Sequence, residues 1–204
     1  MPNAGIMASS AVIAAGTTVL MEPFNNFTAN GWTTASGPSI VTGRTGSGAQ
    51  VSGVSTATWP VPTPDDTNTV GFAYKTSHIN PGHDIIRLLR SGSVETRLQQ
   101  SSAGALNVTR GPSTAIGTAS ANVITATNTW YYIELQVFSH DTAGTVTIRV
   151  NNTPVLTLTG LDTRDVGTPN QVQLWEGVGA TNTYDDLYVM TGAGAPFKGD
   201  ITIP

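Results

Sequence analysis

The chain has 204 residues, a net charge of −4, 11% charged residues and no cysteine. Disulfide stapling and any Cys-based zinc or redox site are excluded, and the lack of a Lys/Arg cluster argues against nucleic acid and anionic membrane as partners. Thr, Ser, Val, Gly and Asn dominate, while the Lys and Glu that fill exposed helix faces are scarce, so the composition points to an all-β domain punctuated by its 22 Gly and 12 Pro.

Met1 to Leu20 carries no charged side chain. Its apolar run has no preceding Lys or Arg, as a signal peptide would have, and Ser9, Ser10, Gly16, Thr17 and Thr18 interrupt it, so it is too broken for a membrane span. Residues 1–18 therefore read as an N-terminal docking arm and 19–204 as one sandwich domain. Ile6, Met7, Val12 and Ile13 are the expected partner-docking residues, because a low-charge segment can lie in a groove or add to a sheet edge.

Val19 to Phe24 reads as a first strand, with Pro23 near an edge or bulge. Asn30 to Ser55 reads as a Gly/Ser/Thr-rich loop with one short strand at Ala49 to Val51. Trp59 to Pro64 holds too much proline for a central strand and is expected to be an extended connection. Thr69 to Lys75 is a strand with Val70, Phe72 and Tyr74 on one face. A polar loop from Ser77 to Asp84 contains the turn pair Pro81-Gly82, and its His78, His83 and Asp84 are a weak transition-metal candidate against a solvated loop.

Ile85 to Arg90 and Val94 to Gln99, joined through Ser91-Gly92-Ser93, form a predicted hairpin with Val94, Thr96 and Leu98 opposite Glu95, Arg97 and Gln99. Leu106 to Arg110, Trp130 to Val137, Thr145 to Val150, Val155 to Thr159, Gln171 to Trp175 and Thr183 to Met190 complete the strands. Period-two alternation sends Tyr131, Ile133, Leu135, Leu187 and Val189 to the core. Many short strands at regular intervals are the pattern of a two-sheet sandwich.

Parity on Gln171 to Trp175 turns Val172 and Leu174 inward and leaves Gln171, Gln173 and Trp175 on the other face. An aromatic ring beside amides suits sugar stacking; the alternative is a face covered by a loop or partner subunit. Asp185 and Asp186, as adjacent strand residues, are expected on opposite faces, Asp186 with Tyr184 and Tyr188. The bland reading of Asp185 is a carboxylate tying a neighbouring loop through backbone amides.

Trp130 to Asn151, together with Asp185-Asp186-Leu187-Tyr188-Val189, Gly194 and Lys198-Gly199-Asp200-Ile201-Thr202-Ile203, resembles laminin-G-like, concanavalin A-like jelly-roll domains of tailed-phage virion proteins. Met21 to Phe24 and Gly31-Trp32 fit the usual first strand and its following Trp. The resemblance implies an antiparallel jelly-roll sandwich of 12 to 14 strands with an apolar closing strand. It further implies a non-enzymatic virion structural protein, decorating capsid or tail, made in the host cytoplasm and assembling with other virion subunits and with its own copies. A cell-surface glycan is the alternative partner, and an adhesion module or glycoside hydrolase the alternative function. Hydrolysis would need paired carboxylates, and Glu22, Glu95, Glu134 and Glu176 stand isolated. No cofactor is expected, apart from calcium at Asp185 and Asp186, which some laminin-G domains hold at a sheet rim.

Overall fold

The computed structural model describes residues 16–79, 83–176 and 179–204. The arm residues Ile6, Met7, Val12 and Ile13 and the Pro81-Gly82 turn lie outside the described residues. The described residues contain fifteen strands and no helix: β1 Thr17–Glu22, β2 Thr33–Ala35, β3 Ser39–Thr42, β4 Ser47–Ser52, β5 Thr56–Pro60, β6 Thr67–Thr76, β7 His83–Arg90, β8 Ser93–Gln100, β9 Leu106–Arg110, β10 Thr114–Thr118, β11 Tyr131–Phe138, β12 Gly144–Val150, β13 Thr153–Leu161, β14 Gln171–Trp175 and β15 Thr181–Thr191.

They form two antiparallel sheets. The eight-stranded sheet runs β13-β12-β11-β6-β15-β4-β3, with β1 also on β15; the seven-stranded sheet runs β10-β9-β8-β7-β14-β5-β2. The inward faces close on one core that includes Val70, Phe72, Tyr74, Ile85, Ile86, Leu98, Ile133, Leu135, Ile148, Val172, Leu174 and Leu187. Two-sheet burial of alternating apolar side chains is what the period of two requires. The fold is an antiparallel jelly-roll sandwich.

Tight turns fix register as the sequence suggests. Ser91 and Gly92 both take positive φ, 49° and 86°, the geometry of a two-residue hairpin whose twist matches its strands. Asn151 and Asn152 do the same at 48° and 67° between β12 and β13. Glu22, 1% exposed, organises the first loop: it accepts hydrogen bonds from the Phe24 amide at 2.6 Å and from the Trp32 indole at 2.7 Å.

Several expectations are corrected. The stretch from 30 to 55 holds β2 and β3 as well as β4, because short Thr/Ser-rich edge strands carry no apolar alternation to betray them. Trp59 and Pro60 belong to β5, which lies between β14 and β2. Proline is tolerated there because Pro60 is the last strand residue and β2 pairs only as far as Thr58. β10 lies in a stretch where no strand is expected, and β1 begins at Thr17, two residues inside the expected arm. The closing segment 192–204 contains no strand; it crosses the outer face of the eight-stranded sheet, held by side chains.

Candidate functional site

The two outer faces differ, and the difference locates the site. On the eight-stranded sheet Ala73, Tyr132, Tyr188 and Met190 make a second apolar cluster, capped by Ala195 with Ile201 packed against it. The closing segment is fastened there by polar groups: Gly199 donates its amide to Glu134 at 2.8 Å, Lys198 to the Tyr188 hydroxyl at 3.0 Å, and Ile203 to Asp186 at 2.6 Å. Over β6, β11 and β15 that face is covered by its own chain.

The paired aspartates belong to this covered region. β15 carries a bulge between Asp185 and Tyr188, with Asp186 at φ 48°. The bulge lets Tyr184 and Leu187 both face the core, whereas Tyr188 points outward, so the expected grouping of Tyr184 with Tyr188 is wrong. It also brings both carboxylates to one place, the β3–β4 turn, instead of splitting them. Asp185 accepts the amides of Arg44 at 2.7 Å and Thr45 at 2.9 Å, the loop-tying role expected of it. Gly43 is needed for that approach, since a Cβ there would lie 2.4 Å from Asp185 Oδ2. Asp186 pairs with the Arg44 guanidinium at 2.7 Å.

Calcium does not fit these residues. All four carboxylate oxygens already accept hydrogen-bond donors: Asp185 Oδ1 from the Asp186 amide, Oδ2 from the turn, Asp186 Oδ1 from Ile203 and Thr45, and Oδ2 from Arg44. Calcium needs six to eight oxygens, and a guanidinium stands where it would bind. Burial, the leading cause, raises the Asp185 pKa, with the neighbouring Asp186 charge adding and the turn amides opposing. Nor do His78, His83 and Asp84 form a metal site. His83 is buried inward against the Tyr74 hydroxyl at 3.0 Å, while Asp84 turns outward to Arg87, and the described residues hold no cluster of metal-ligating side chains.

The outer face of the seven-stranded sheet is open and polar. Cross-strand register places Thr33, Thr58, Gln173, Arg87, Arg97 and Thr109 in one row over six strands, from β2 to β9. At the usual strand spacing the row is about 24 Å long. Its members are linked: Gln173 donates to Thr58 Oγ1 at 2.9 Å and accepts from Arg87 at 3.4 Å, and Arg97 donates to Thr109 Oγ1 at 3.1 Å. A bulge after Asp84 turns Ile85 and Ile86 both into the core and sets Asp84 beside Arg87. Asp84 pairs with Arg87, lies 3.5 Å from Arg97, and accepts from Gln99 at 2.7 Å.

At one end of this row lies an open cleft of about 310 Å³, lined by Thr33, Thr58, Pro60, Leu89, Gly92, Gln171 and Gln173. Its size is at the lower end of ligand pockets, about 300–1,000 Å³. Gln171 braces the cleft by accepting the Gly92 amide at 2.8 Å. The structure thus brings Gln171 and Gln173 together at the cleft and leaves Trp175 beside it. Trp175 does not offer a free ring on both sides, because the Arg87 guanidinium stacks over it 3.7 Å from the ring centroid. Sequence reading missed Arg87, Thr58 and Thr33. Arg87 could have been found as the one charge inside the apolar run Ile85 to Leu89; the threonines gave no signal.

No family model matches the chain, and no curated protein matches it. Solved structures do. Domain 4 of an extracellular arabinanase from Geobacillus stearothermophilus, in complex with arabinotriose, aligns with a TM-score of 0.62 at 13% identity, over 88% of this chain and 94% of that one. An endo-β-1,4-glucuronan lyase from the fungus Trichoderma reesei aligns at 0.60 and 14% identity, over 84% and 90%. A chain of botulinum neurotoxin type C, whose cell entry depends on interaction with two ganglioside molecules, aligns at 0.59 and 10% identity over 82% of this chain. The chain spans only 44% of that toxin chain and 19% of a similar sialidase. At these identities the likeness is one of fold. It agrees with the jelly-roll sandwich, and it extends to both binding domains and enzymes.

Proposed function

We propose that the chain is a non-catalytic glycan-binding sandwich that engages sugar on the outer face of its seven-stranded sheet. The observation that carries this is the cleft with Gln171 and Gln173 at the end of a polar cross-strand row. Fixed amides and hydroxyls on a rigid sheet supply the orienting hydrogen bonds a sugar needs, at small conformational cost. The arabinotriose complex and the ganglioside-dependent toxin among the structural neighbours support the reading. A binding role is favoured over hydrolysis because no carboxylate lines the cleft among the described residues, and Asp84 is buried against two arginines. Binding to a glycan array should be seen for the intact chain. Gln173→Ala should weaken it about tenfold, the value of one or two lost polar contacts, with thermal stability little changed. An intact fold that binds no glycan sinks the reading.

The setting we propose is the virion of a tailed phage, made in the host cytoplasm, with the sandwich facing outward from capsid or tail. The support is the likeness of the closing segment to that of virion jelly rolls, together with the uncharged stretch before β1. Because β1 starts at Thr17 and pairs with β15, the arm that can be removed without harming the sheet is residues 1–15. Deleting it should abolish incorporation into particles, by electron microscopy of purified virions, and leave cooperative melting intact. Normal incorporation of the truncated chain would remove the docking role of Ile6, Met7, Val12 and Ile13.

A further inference from the structure

The row on the outer face has an unbalanced charge. Arg87 and Arg97 are directly opposed on neighbouring strands β7 and β8. Like charges facing across a ladder destabilise it, and an anion between or above them offsets the repulsion. Among the described residues one carboxylate touches both guanidinium groups: Asp84, whose side chain is 3% exposed. Two cations on one carboxylate leave a surplus positive charge, on a protein whose net charge is −4.

Both arginines are largely but not wholly buried. Their side chains are 15% and 17% exposed. Asp84 takes the Nε of Arg87, and Thr109 takes the Nε of Arg97. Arg87 is further fixed by Gln173 at the cleft wall and by the Trp175 ring beneath it, so its plane is set before any ligand arrives. Burial leads in lowering the Arg87 pKa, with the Arg97 charge adding and Asp84 opposing, so a second anion would act in the same sense as Asp84. Other charged groups near this face are already engaged. Glu95 accepts the amides of Asp165, Val166 and Gly167, and Arg110 pairs with Asp162 at the far edge.

We propose that Arg87 and Arg97 form an anion subsite for a carboxylate-bearing sugar residue of an acidic oligosaccharide, whose neighbouring residue occupies the Gln171–Gln173 cleft. This rests on the glycan-binding reading and names the chemical class of its ligand. A planar, preoriented guanidinium matches a carboxylate by two parallel hydrogen bonds, which is why the ligand is a uronate type and not a neutral glycan. The cleft and the arginine pair are adjacent in one row through Gln173, so a linear chain laid across the strands meets both.

The test is calorimetric titration of the intact chain with oligogalacturonates of three to six residues, their methyl esters, and a carboxyl-free sulfated carrageenan oligosaccharide of matched length. The free acid should bind at least tenfold more tightly than its methyl ester. Arg87→Gln should erase that preference while residual binding of the ester persists. The ester comparison leaves the protein untouched, so it remains decisive if Arg87→Gln fails to fold. Equal binding of acid and ester overturns the anion subsite and leaves the glycan-binding reading standing. Binding of the sulfated oligosaccharide alone overturns the carboxylate assignment. No binding of any of the three, while neutral oligosaccharides bind at the cleft, also overturns it; no binding of any glycan by the folded chain overturns both readings.

Discussion

Replacing Arg44 by alanine is expected to destabilise the fold by about 2–4 kcal/mol, because it removes the only side-chain cation on Asp186 among the described residues. Asp186 is 0% exposed and sits beside Asp185, also 0% exposed. Arg44 reaches it with Nε at 2.9 Å, spans to Asp200 at 2.6 Å, and donates to the Ile201 carbonyl, so one side chain ties the β15 bulge to the closing segment. Breaking a buried pair by removing one partner costs about 3–5 kcal/mol, and the 21% exposure of Arg44 discounts that figure. In a chain of this size the midpoint of thermal unfolding should fall by roughly 5–15 °C. The guanidinium pKa is consistent with this load: burial works to lower it, and the hydrogen bonds and charges of Asp200 and Asp186 outweigh burial and raise it. Arg44→Ala combined with Asp186→Asn should recover part of the loss, since the stranded charge is then gone. A midpoint within about 1–2 °C of the parent for Arg44→Ala would mean that the turn amides on Asp185, with the Ile203 amide and Thr45 hydroxyl on Asp186, satisfy both carboxylates without the guanidinium.

The asymmetry between the two outer faces explains what could be read from the sequence. Apolar alternation identified the core strands almost residue by residue: β9 and β14 match their expected bounds, and Val70, Phe72 and Tyr74 do share the inward face. Alternation fails where a bulge inserts a residue, and β15 and β7 each carry one. The first converted Asp185 and Asp186 from an apparent split pair into one buried cluster. The second placed Asp84 beside Arg87, a juxtaposition that their spacing of three residues hides on a regular strand. The resemblance to jelly-roll domains implies a closing strand through Lys198 to Ile203, and none forms. The position of the closing segment is set instead by hydrogen bonds that its own amides donate to Tyr188, Glu134 and Asp186, residues 10 to 65 positions away in sequence. Gln171 and Gln173 were legible from parity alone. Their partners across the sheet were not, since Thr33, Thr58 and Arg97 come from strands distant in sequence and meet only through pairing order.

Gly71→Ala is expected to be among the most damaging single substitutions in the sheet, although it adds one methyl group. Gly71 occupies the middle of β6, opposite Tyr188 on one side and Glu134 on the other. The absent side chain lets the Tyr188 ring lie across β6 and donate its hydroxyl to Glu134 Oε1 at 2.5 Å, two strands away. A Cβ on residue 71 would stand 2.1 Å from Tyr188 Cε1 and 2.6 Å from Cζ. The ring cannot swing aside cheaply. Its hydroxyl is held by Glu134 and by the Lys198 amide, and Glu134, itself 0% exposed, is paired with Arg149 at 3.3 Å. Burial first, and then the hydrogen bond to Glu134, raise the Tyr188 pKa, so the phenol stays a donor. Overpacking costs about 1–3 kcal/mol, and losing a hydrogen bond to a buried charge about 1.5–3 kcal/mol more. The sum, about 2.5–6 kcal/mol, should be visible in denaturant unfolding as a lower midpoint with an unchanged slope. The closing segment should loosen too, read as faster amide exchange at Lys198 and Gly199. Tyr188→Ala in the same chain removes the clash, so the double variant should be more stable than the sum of the two single losses predicts. Strict additivity would show that the methyl group is accommodated by a shift of β6, and that Tyr188 does not depend on the empty space at residue 71.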